Sequence, residues 1–375
     1  MSASVEVLLV GAVDPVALAA AAGGLVLDLD GVVCLTYERA ADGAVRRRVS
    51  DSSGLVYDER ISEAGTCACC AAHADVVTAV QMLADQSRWA CIVCAAPAAA
   101  TLQPLAHVLS EAVADDQLLG VELACVVQVV DLASFEQDLL GDDLLDERGL
   151  ALAPSDRRSV GEALVSGLEF ADVVIGLDAE PGSAAVALLG AVCDETTQVR
   201  LGWSAVDAAA LTTLRHDHEL ARSRVHPLRV AEGADDVNPD VWTLQLQSTR
   251  PLDPARLLDQ LEQLGSGAVR GRGYFWLASR PDVVCVWDGV GGQLSIGVHG
   301  PWDGRMPQTH LVVTGTNPKD RDRVAATFPL VCCDEPFSYP EPGEEVVDGF
   351  EPWLGRTGPW EDESAGSGMS FERDS

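Results

Sequence analysis

Lysine is all but missing from this 375-residue chain, which carries a single one at Lys319. A phosphate-binding loop of the Gly-x-x-x-x-Gly-Lys-Ser/Thr kind sets a lysine ammonium and a run of backbone amides against the β and γ phosphates. No residue before Lys319 can supply that ammonium. Basic charge is short altogether: 25 Lys+Arg stand against 58 Asp+Glu, a net charge of −33. Contacts to nucleic-acid phosphates over the whole surface would run against a repulsive field, so direct nucleic-acid binding is not expected. A basic protein partner stays open. Long hydrophobic runs are missing too. No uncharged apolar stretch reaches the ~18 residues a membrane span needs, and no basic-then-apolar leader opens the chain, so neither a span nor a signal peptide is expected. A cytoplasmic protein with reduced thiols follows. What is plentiful is apolar residues, 47% of the chain, enough for two cores.

Against that background Gly65-Thr66-Cys67-Ala68-Cys69-Cys70 stands out. Three soft sulfur ligands within four residues suit Zn²⁺ or Cu(I), whereas carboxylate-preferring Mg²⁺ and Ca²⁺ would find little there. An intrachain disulfide among Cys67, Cys69 and Cys70 would need unusual backbone geometry. Exposed reactive thiols are the competing reading, and with them a thiol redox sensor. Neighbouring Cys69 and Cys70 are expected to share one ion only through a strained loop, leaving two of the three sulfurs bound at once. A fourth ligand must come from elsewhere: Glu63 and His73 close in sequence, Asp28 and Asp30 from the strand region, or solvent. The chain has 11 Cys. Cys91, Cys125 and Cys285 sit in apolar runs as core residues, and the vicinal Cys332-Cys333 reads as structural.

Val5 to Val10, Gly11, Asp14-Pro15 and the Ala-rich Val16 to Ala22 read as strand, turn and helix, the opening of a βα unit. Further strands are expected at Gly24 to Asp28, Gly31 to Tyr37, Trp89 to Ala95, Leu123 to Val130 and Ala171 to Ile175. Helices are expected at Ala71 to Leu83, Ser159 to Leu168 and Ser183 to Val192. The alternation predicts a parallel α/β sheet. Residues 1–202 form this first domain and 203–237 a linker. In that linker His216-Asp217-His218 and His226 read as a solvated charge run. Residues 238–353 form an α+β domain with strands at Val241 to Ser248, Gly273 to Ala278, Val283 to Trp287 and Leu294 to Val298, and a helix at Asp253 to Leu264. Residues 354–375 read as a disordered acidic tail.

Arg270-Gly271-Arg272-Gly273-Tyr274-Phe275-Trp276-Leu277-Ala278-Ser279-Arg280-Pro281-Asp282, with Trp287, Gly291-Gly292 and Gly300-Pro301-Trp302, resembles the C-terminal domain of the CobW-like family of zinc-linked P-loop GTPase metallochaperones. Arg250-Pro251-Leu252-Asp253-Pro254 resembles that domain's strand-to-helix opening. The stretches Val129-Val130-Asp131 and Asp156 to Asp172 resemble blocks of its first domain. Cys67-x-Cys69-Cys70 falls where the family keeps its Cys-x-Cys-Cys metal site, so the resemblance implies Zn²⁺ on Cys67, Cys69 and Cys70.

The departures fall on the nucleotide elements. Gly11-Ala12-Val13-Asp14-Pro15-Val16-Ala17-Leu18 stands where the P-loop would, without its lysine, with a repelling carboxylate and with a proline that removes an N–H. Gly176-Leu177-Asp178-Ala179-Glu180 replaces the guanine-reading Asn-Lys-x-Asp, and Cys94-Ala95-Ala96-Pro97 replaces the acidic segment after the middle strand. The expected fold is therefore a degenerate P-loop GTPase-like parallel sheet with a C-terminal α+β CobW-type domain, and GTP binding and hydrolysis are not expected. A P-loop-less actinobacterial branch is most similar. The function it implies is a non-catalytic zinc-binding adaptor or regulator that recruits a ribosome hibernation factor to the ribosome. The alternatives are a zinc metallochaperone with residual GTP hydrolysis serving a zinc client protein, and the redox sensor.

Overall fold

The structure is a computed structural model, and it describes residues 4–40, 42–63, 65–230, 239–334 and 346–356. The chain opens with β1 (Val5–Ala12), α1 (Pro15–Asp28), β2 (Val32–Arg39), β3 (Val45–Asp51), β4 (Gly54–Arg60), α2 (Ala68–Asp85) and β5 (Cys91–Ala95). It continues with α3 (Leu102–Ala114), β6 (Val121–Asp131), α4 (Phe135–Leu140), α5 (Val160–Phe170), β7 (Val173–Leu177), α6 (Ala184–Val192) and β8 (Gln198–Leu201). These strands make one 8-stranded sheet in the order β4-β3-β2-β5-β1-β6-β7-β8. The pairings β2/β5, β5/β1, β1/β6, β6/β7 and β7/β8 are parallel, while β2/β3 and β3/β4 are antiparallel and add a hairpin at one edge.

Alternation along β1 divides the core. Val5, Val7 and Leu9 face α2 and α3, whereas Leu8, Val10 and Ala12 face α1. Strands buried on both faces need no polar side, which is why Cys91–Ala95 and most of Val121–Asp131 read as continuous apolar runs.

Gly24 to Asp28 does not form the expected strand. Helix α1 runs through it, because Ala17, Ala21 and Leu25 recur every four residues and all are buried. Gly24 lets the helix approach the ring of Trp203, which a Cβ would strike. The hairpin β3-β4 and helix α3 were not expected. Arg47 occupies an inward position on β3 and pairs with Asp75 on α2 at 2.8 Å and with Glu59 on β4, so charge hides the strand's alternation.

The 203–237 stretch also differs from a linker over its described part, 203–230. A 3-10 turn at Trp203–Ala205 leads to α7 (Ala208–Thr213) and α8 (His218–Arg224). Buried Ala208 and Leu211 of α7 join the α1 side of the core. The reason sequence pattern misses α8 is that buried, bonded polar groups anchor it: Arg224 reaches Asp172 at 2.7 Å and the Phe170 carbonyl at 3.2 Å.

The second unit holds β9 (Trp242–Ser248), α9 (Pro254–Gly265), β10 (Val269–Phe275), β11 (Val283–Val290), β12 (Gln293–Pro301), β13 (Thr309–Gly315), α10 (Pro318–Val331) and α11 (Glu351–Leu354). Its 5-stranded sheet runs β12-β11-β10-β13-β9, antiparallel throughout. Phe275, Trp287, Leu257 and Val324 share its core. Glu169 at the end of α5 joins the two units, with Arg270 at 2.7 Å and Arg272 at 3.0 Å, all three largely buried. Of the expected tail, residues 357–375 lie outside the described residues. No described helix is long and apolar enough to cross a membrane.

Candidate metal centre

Helix α2 begins at Ala68, with Cys67 as its N-cap in an extended conformation, φ −61° and ψ 132°. An N-cap side chain folds back over the second and third helical residues, and here these are Cys69 and Cys70. The helix start thus brings the Sγ atoms of Cys67, Cys69 and Cys70 within 4.8 Å of one another. The strained loop expected for neighbouring cysteines is not needed, because a helical turn already points both sulfurs at the cap. Cys67 Sγ and Cys69 Sγ lie 2.6 Å apart. Two sulfurs on one tetrahedral zinc at ~2.3 Å each sit about 3.8 Å apart, so binding would spread this pair by roughly one ångström.

The three thiols differ. Burial raises the pKa of Cys67, but the Cys69 thiol and the nearby amides of Cys70 and Cys69 at the helix start outweigh it, and the net shift is downward. A thiolate at a helix N-terminus gains from those free amides. Burial, followed by the Cys67 sulfur, pushes the Cys69 thiol up to about 12. Cys70 is exposed.

The cluster opens into a cavity of about 530 Å³. Its walls come from three elements: His73 on α2; Thr101, Pro104 and Leu105 at the start of α3; and Leu152, Ala153, Ser155, Asp156 and Arg158 ahead of α5. Arg158 fixes that last wall, bonding Asp156 at 2.8 and 2.9 Å, Thr101 Oγ1 at 3.3 Å and the Ala99 carbonyl at 3.2 Å. The Arg158 guanidinium holds the Asp156 carboxyl below its ordinary range. Ser159 then starts α5 with a reciprocal cap, its Oγ accepting from Glu162 N at 3.0 Å while Glu162 accepts from Ser159 N at 2.7 Å. Ser159→Ala is expected to cost about 1 kcal/mol in thermal or denaturant unfolding. A loss below a few tenths would mean that this cap does not set the start of α5.

Of the candidate fourth ligands, only His73 lines the cavity. Glu63 is an exposed acid paired with Arg60 at 2.9 Å. Asp28 ends α1 at the opposite edge of the sheet, where it accepts from Trp203 Nε1 at 3.0 Å, and Asp30 follows it there. The remaining eight cysteines, Cys332 and Cys333 among them, are buried free thiols.

The cluster lies at the carboxyl edge of the parallel strands, where open α/β sheets place ligands. The β1–α1 turn shares that edge and comprises only Val13 and Asp14. Asp14 caps α1, its carboxylate accepting from Val16 N at 2.8 Å, and Pro15 follows. The cavity beside the turn, lined by Val13, Asp14, Asp131 and Asp138, has about 10 Å³, room for roughly one water. A Cβ on Gly11 would lie 2.5 Å from Leu102 Cδ2, which fills the space above the turn.

The histidines expected as a solvated run are arranged otherwise. The His216 side chain is fully buried, with Nδ1 2.7 Å from Asp172. His218 stands between His216 and His107, and His226 packs on His299 at 4.8 Å. Sequence pattern missed Asp172, His107, Thr101 and Arg158, each brought in by a distant element. The only signal was the pair of histidines two apart, which share a side in extended chain, and His216 does precede the helix.

Comparison with known proteins adds that residues 241–329 match the cobalamin synthesis protein cobW C-terminal domain. A zinc chaperone of Mycobacterium tuberculosis is 26% identical over 265 residues, 63% of this chain and 63% of that protein. A zinc-regulated GTPase metalloprotein activator 1 of Dictyostelium discoideum is 21% identical over 252 residues, 63% of this chain and 53% of that protein. The matches thus span less than two thirds of those relatives. Among solved structures, the Zn(II)-bound YjiA GTPase from E. coli is 12% identical, with 88% of this chain and 99% of that one covered at a TM-score of 0.32.

Proposed function

We propose that the chain binds one Zn²⁺ through Cys67, Cys69 and Cys70 and serves as a non-catalytic, zinc-dependent adaptor or regulator. The observation that carries this reading is the convergence of three thiols at the start of α2, facing a cavity with room for a further ligand. Soft sulfur donors at a helix N-terminus suit zinc, and His73 or an incoming group would complete the tetrahedron. Zinc here would order the donors and fix the mouth of the cavity, giving a partner a zinc-bound surface to read.

The same sheet edge supports the absence of GTP chemistry. A degenerate P-loop fits what occupies it: a turn of two residues, a carboxylate already on the Val16 amide of α1, Leu102 over Gly11 and no lysine nearby. Two partners fit a zinc-dependent adaptor. One is a zinc client protein, of the kind the names of the relatives imply; the other is the ribosome hibernation factor implied by resemblance. The second reading is a zinc metallochaperone that turns over GTP, favoured by the name of the Dictyostelium relative.

Titration of the reduced chain with zinc against a chromophoric chelator, with and without GTP, separates them. One equivalent of zinc, indifferent to GTP and absent from a Cys67→Ala, Cys69→Ala, Cys70→Ala variant, is expected, with no phosphate released. Measurable GTP turnover would establish the second reading. Thiol reactivity unchanged by zinc or chelator would point to a redox sensor.

A further inference from the structure

Helix α1 carries no charged residue from Pro15 to Leu27, in a chain whose net charge is −33. Its inward side is accounted for, with Ala17, Ala21, Ala22 and Leu25 buried against the sheet. Its outward side is apolar as well. Val16, Ala19, Ala20, Gly23 and Leu27 are all exposed, Val16 by 74% and Leu27 by 85%. A helix that is apolar all round is ordinarily covered all round. Exposed Ala209, Ala210 and Thr213 of α7, which packs beside α1, widen the uncharged surface. Asp14 and Asp28 bound it at the ends of α1, and Asp207 and Arg215 at those of α7. An exposed apolar patch with a polar rim marks a place where another surface docks.

Gly23 has no use inside the chain. A glycine within a helix weakens it relative to alanine, unless the missing side chain makes room for something. The next residue shows the ordinary reason: a Cβ on Gly24 would strike the Trp203 ring. A Cβ on Gly23 would meet nothing within 4 Å, and this residue lies well inside α1. No group among the described residues needs that space. A close approach from outside the molecule does.

Val16, Ala20, Gly23 and Leu27 recur at intervals of four, three and four residues, the seam of two paired helices. Laid antiparallel on a second α1, the series matches itself: Val16 of one copy meets Leu27 of the other, and Ala20 meets Gly23. The large side chains fill both ends, and the small ones let the backbones close in the middle. We infer that the chain forms a two-fold dimer through α1, with Ala20 and Gly23 at the crossing. A second copy fits better than a basic partner, because a cationic surface would gather on the chain's carboxylates and gain nothing from a face without charge. The pairing is isologous, so it closes at two copies. It leaves the thiol cluster free, since α1 lies on one side of the sheet and α2 and α3 on the other.

Both copies carry −33, and Asp14 of each comes near Asp28 of the other at the ends of the seam. Salt screens such repulsion, so the dimer tightens as salt is added, unlike an interface held by ion pairs. One helix and part of another per copy make a small interface, with dissociation in the micromolar range.

Sedimentation equilibrium of the whole reduced chain, from ~1 to ~200 µM, is expected to show one monomer–dimer equilibrium that tightens between about 0.05 and 0.5 M NaCl. Ala20→Glu should weaken it by at least ~10-fold while far-ultraviolet circular dichroism stays unchanged. Gly23→Ala should separate the two roles of that residue, raising the thermal midpoint of the dilute chain while weakening the dimer. In a dimer mixed from valine-methyl-labelled and leucine-methyl-labelled chains, a nuclear Overhauser contact between Val16 and Leu27 is expected. These residues lie about 16 Å apart along one helix, so the contact can only cross the interface. A chain still monomeric at ~200 µM would overturn the inference. So would a dimer that Ala20→Glu leaves intact, one that salt dissolves, or one without the Val16 to Leu27 contact, each of which puts the interface elsewhere.

Discussion

Replacing Cys67, Cys69 or Cys70 singly by alanine is expected to lower zinc affinity by at least ~100-fold, more than the ~10–100-fold that loss of an outer-shell partner costs. The effect should be largest for Cys67. It is the N-cap, and the adjacent Cys69 thiol and helix N-terminus shift its thiol downward, so the helix start favours a sulfur anion at that position. Without Cys67, the other two thiols keep the helical turn but lose the group that folds back to meet them. Competition with a chromophoric chelator measures each variant. Unchanged affinity in Cys70→Ala would reduce the centre to two thiols and require two ligands from elsewhere, with His73 first in line. The fold should tolerate these changes, because Cys70 is exposed and neither Cys67 nor Cys69 is fully buried.

Glu169→Ala is expected to destabilise the protein by about 3 kcal/mol, at the low end of the ~3–5 kcal/mol that follows when one partner of a buried ion pair is removed. Two guanidinium groups depend on this one carboxylate, Arg270 at 2.7 Å and Arg272 at 3.0 Å. The low end applies because neither is left alone. Arg270 keeps Asp288 and the carbonyls of Gly271 and Gly289, and Arg272 keeps those of Arg224 and His226. Since Glu169 lies on the first unit and both arginines on the second, the loss should also appear as a split: two unfolding transitions in calorimetry where the wild type shows one. A denaturant midpoint within ~1 kcal/mol of wild type would show that apolar contacts such as Val290 against Gly161 hold the units together instead.

Elements with one dominant local cause were legible in the sequence. Asp253-Pro254 announces α9 because a capping carboxylate and a ring locked at helical φ act within three residues, and Asp253 does accept from Arg256 N at 3.0 Å. Strand β5 was legible because every one of its residues is buried. The hairpin β3-β4 was not, since its inward Arg47 looks like solvent-facing charge until Asp75, far along the chain, is brought beside it. The thiol cluster could be read from spacing alone because all three sulfurs lie on one helical turn. The cavity it faces could not, as Thr101 and Arg158 meet only after α3 and α5 pack against each other. The buried His216 was missed for the same reason. His216 and Asp172 are 44 residues apart, and no periodicity links a buried imidazole to its carboxylate.

The carboxylate on the Val16 amide has a meaning for affinity as well. Asp14 is a competitor tethered a few bonds from the site it fills, and a tethered group acts at an effective concentration that a dilute solute does not approach. Any anion seeking that amide from solution must displace a rival that never diffuses away. Inserting a lysine alone would therefore not return phosphate binding to this turn. The inhibitor is built into the chain, and it would have to be removed before any gain of function could be seen.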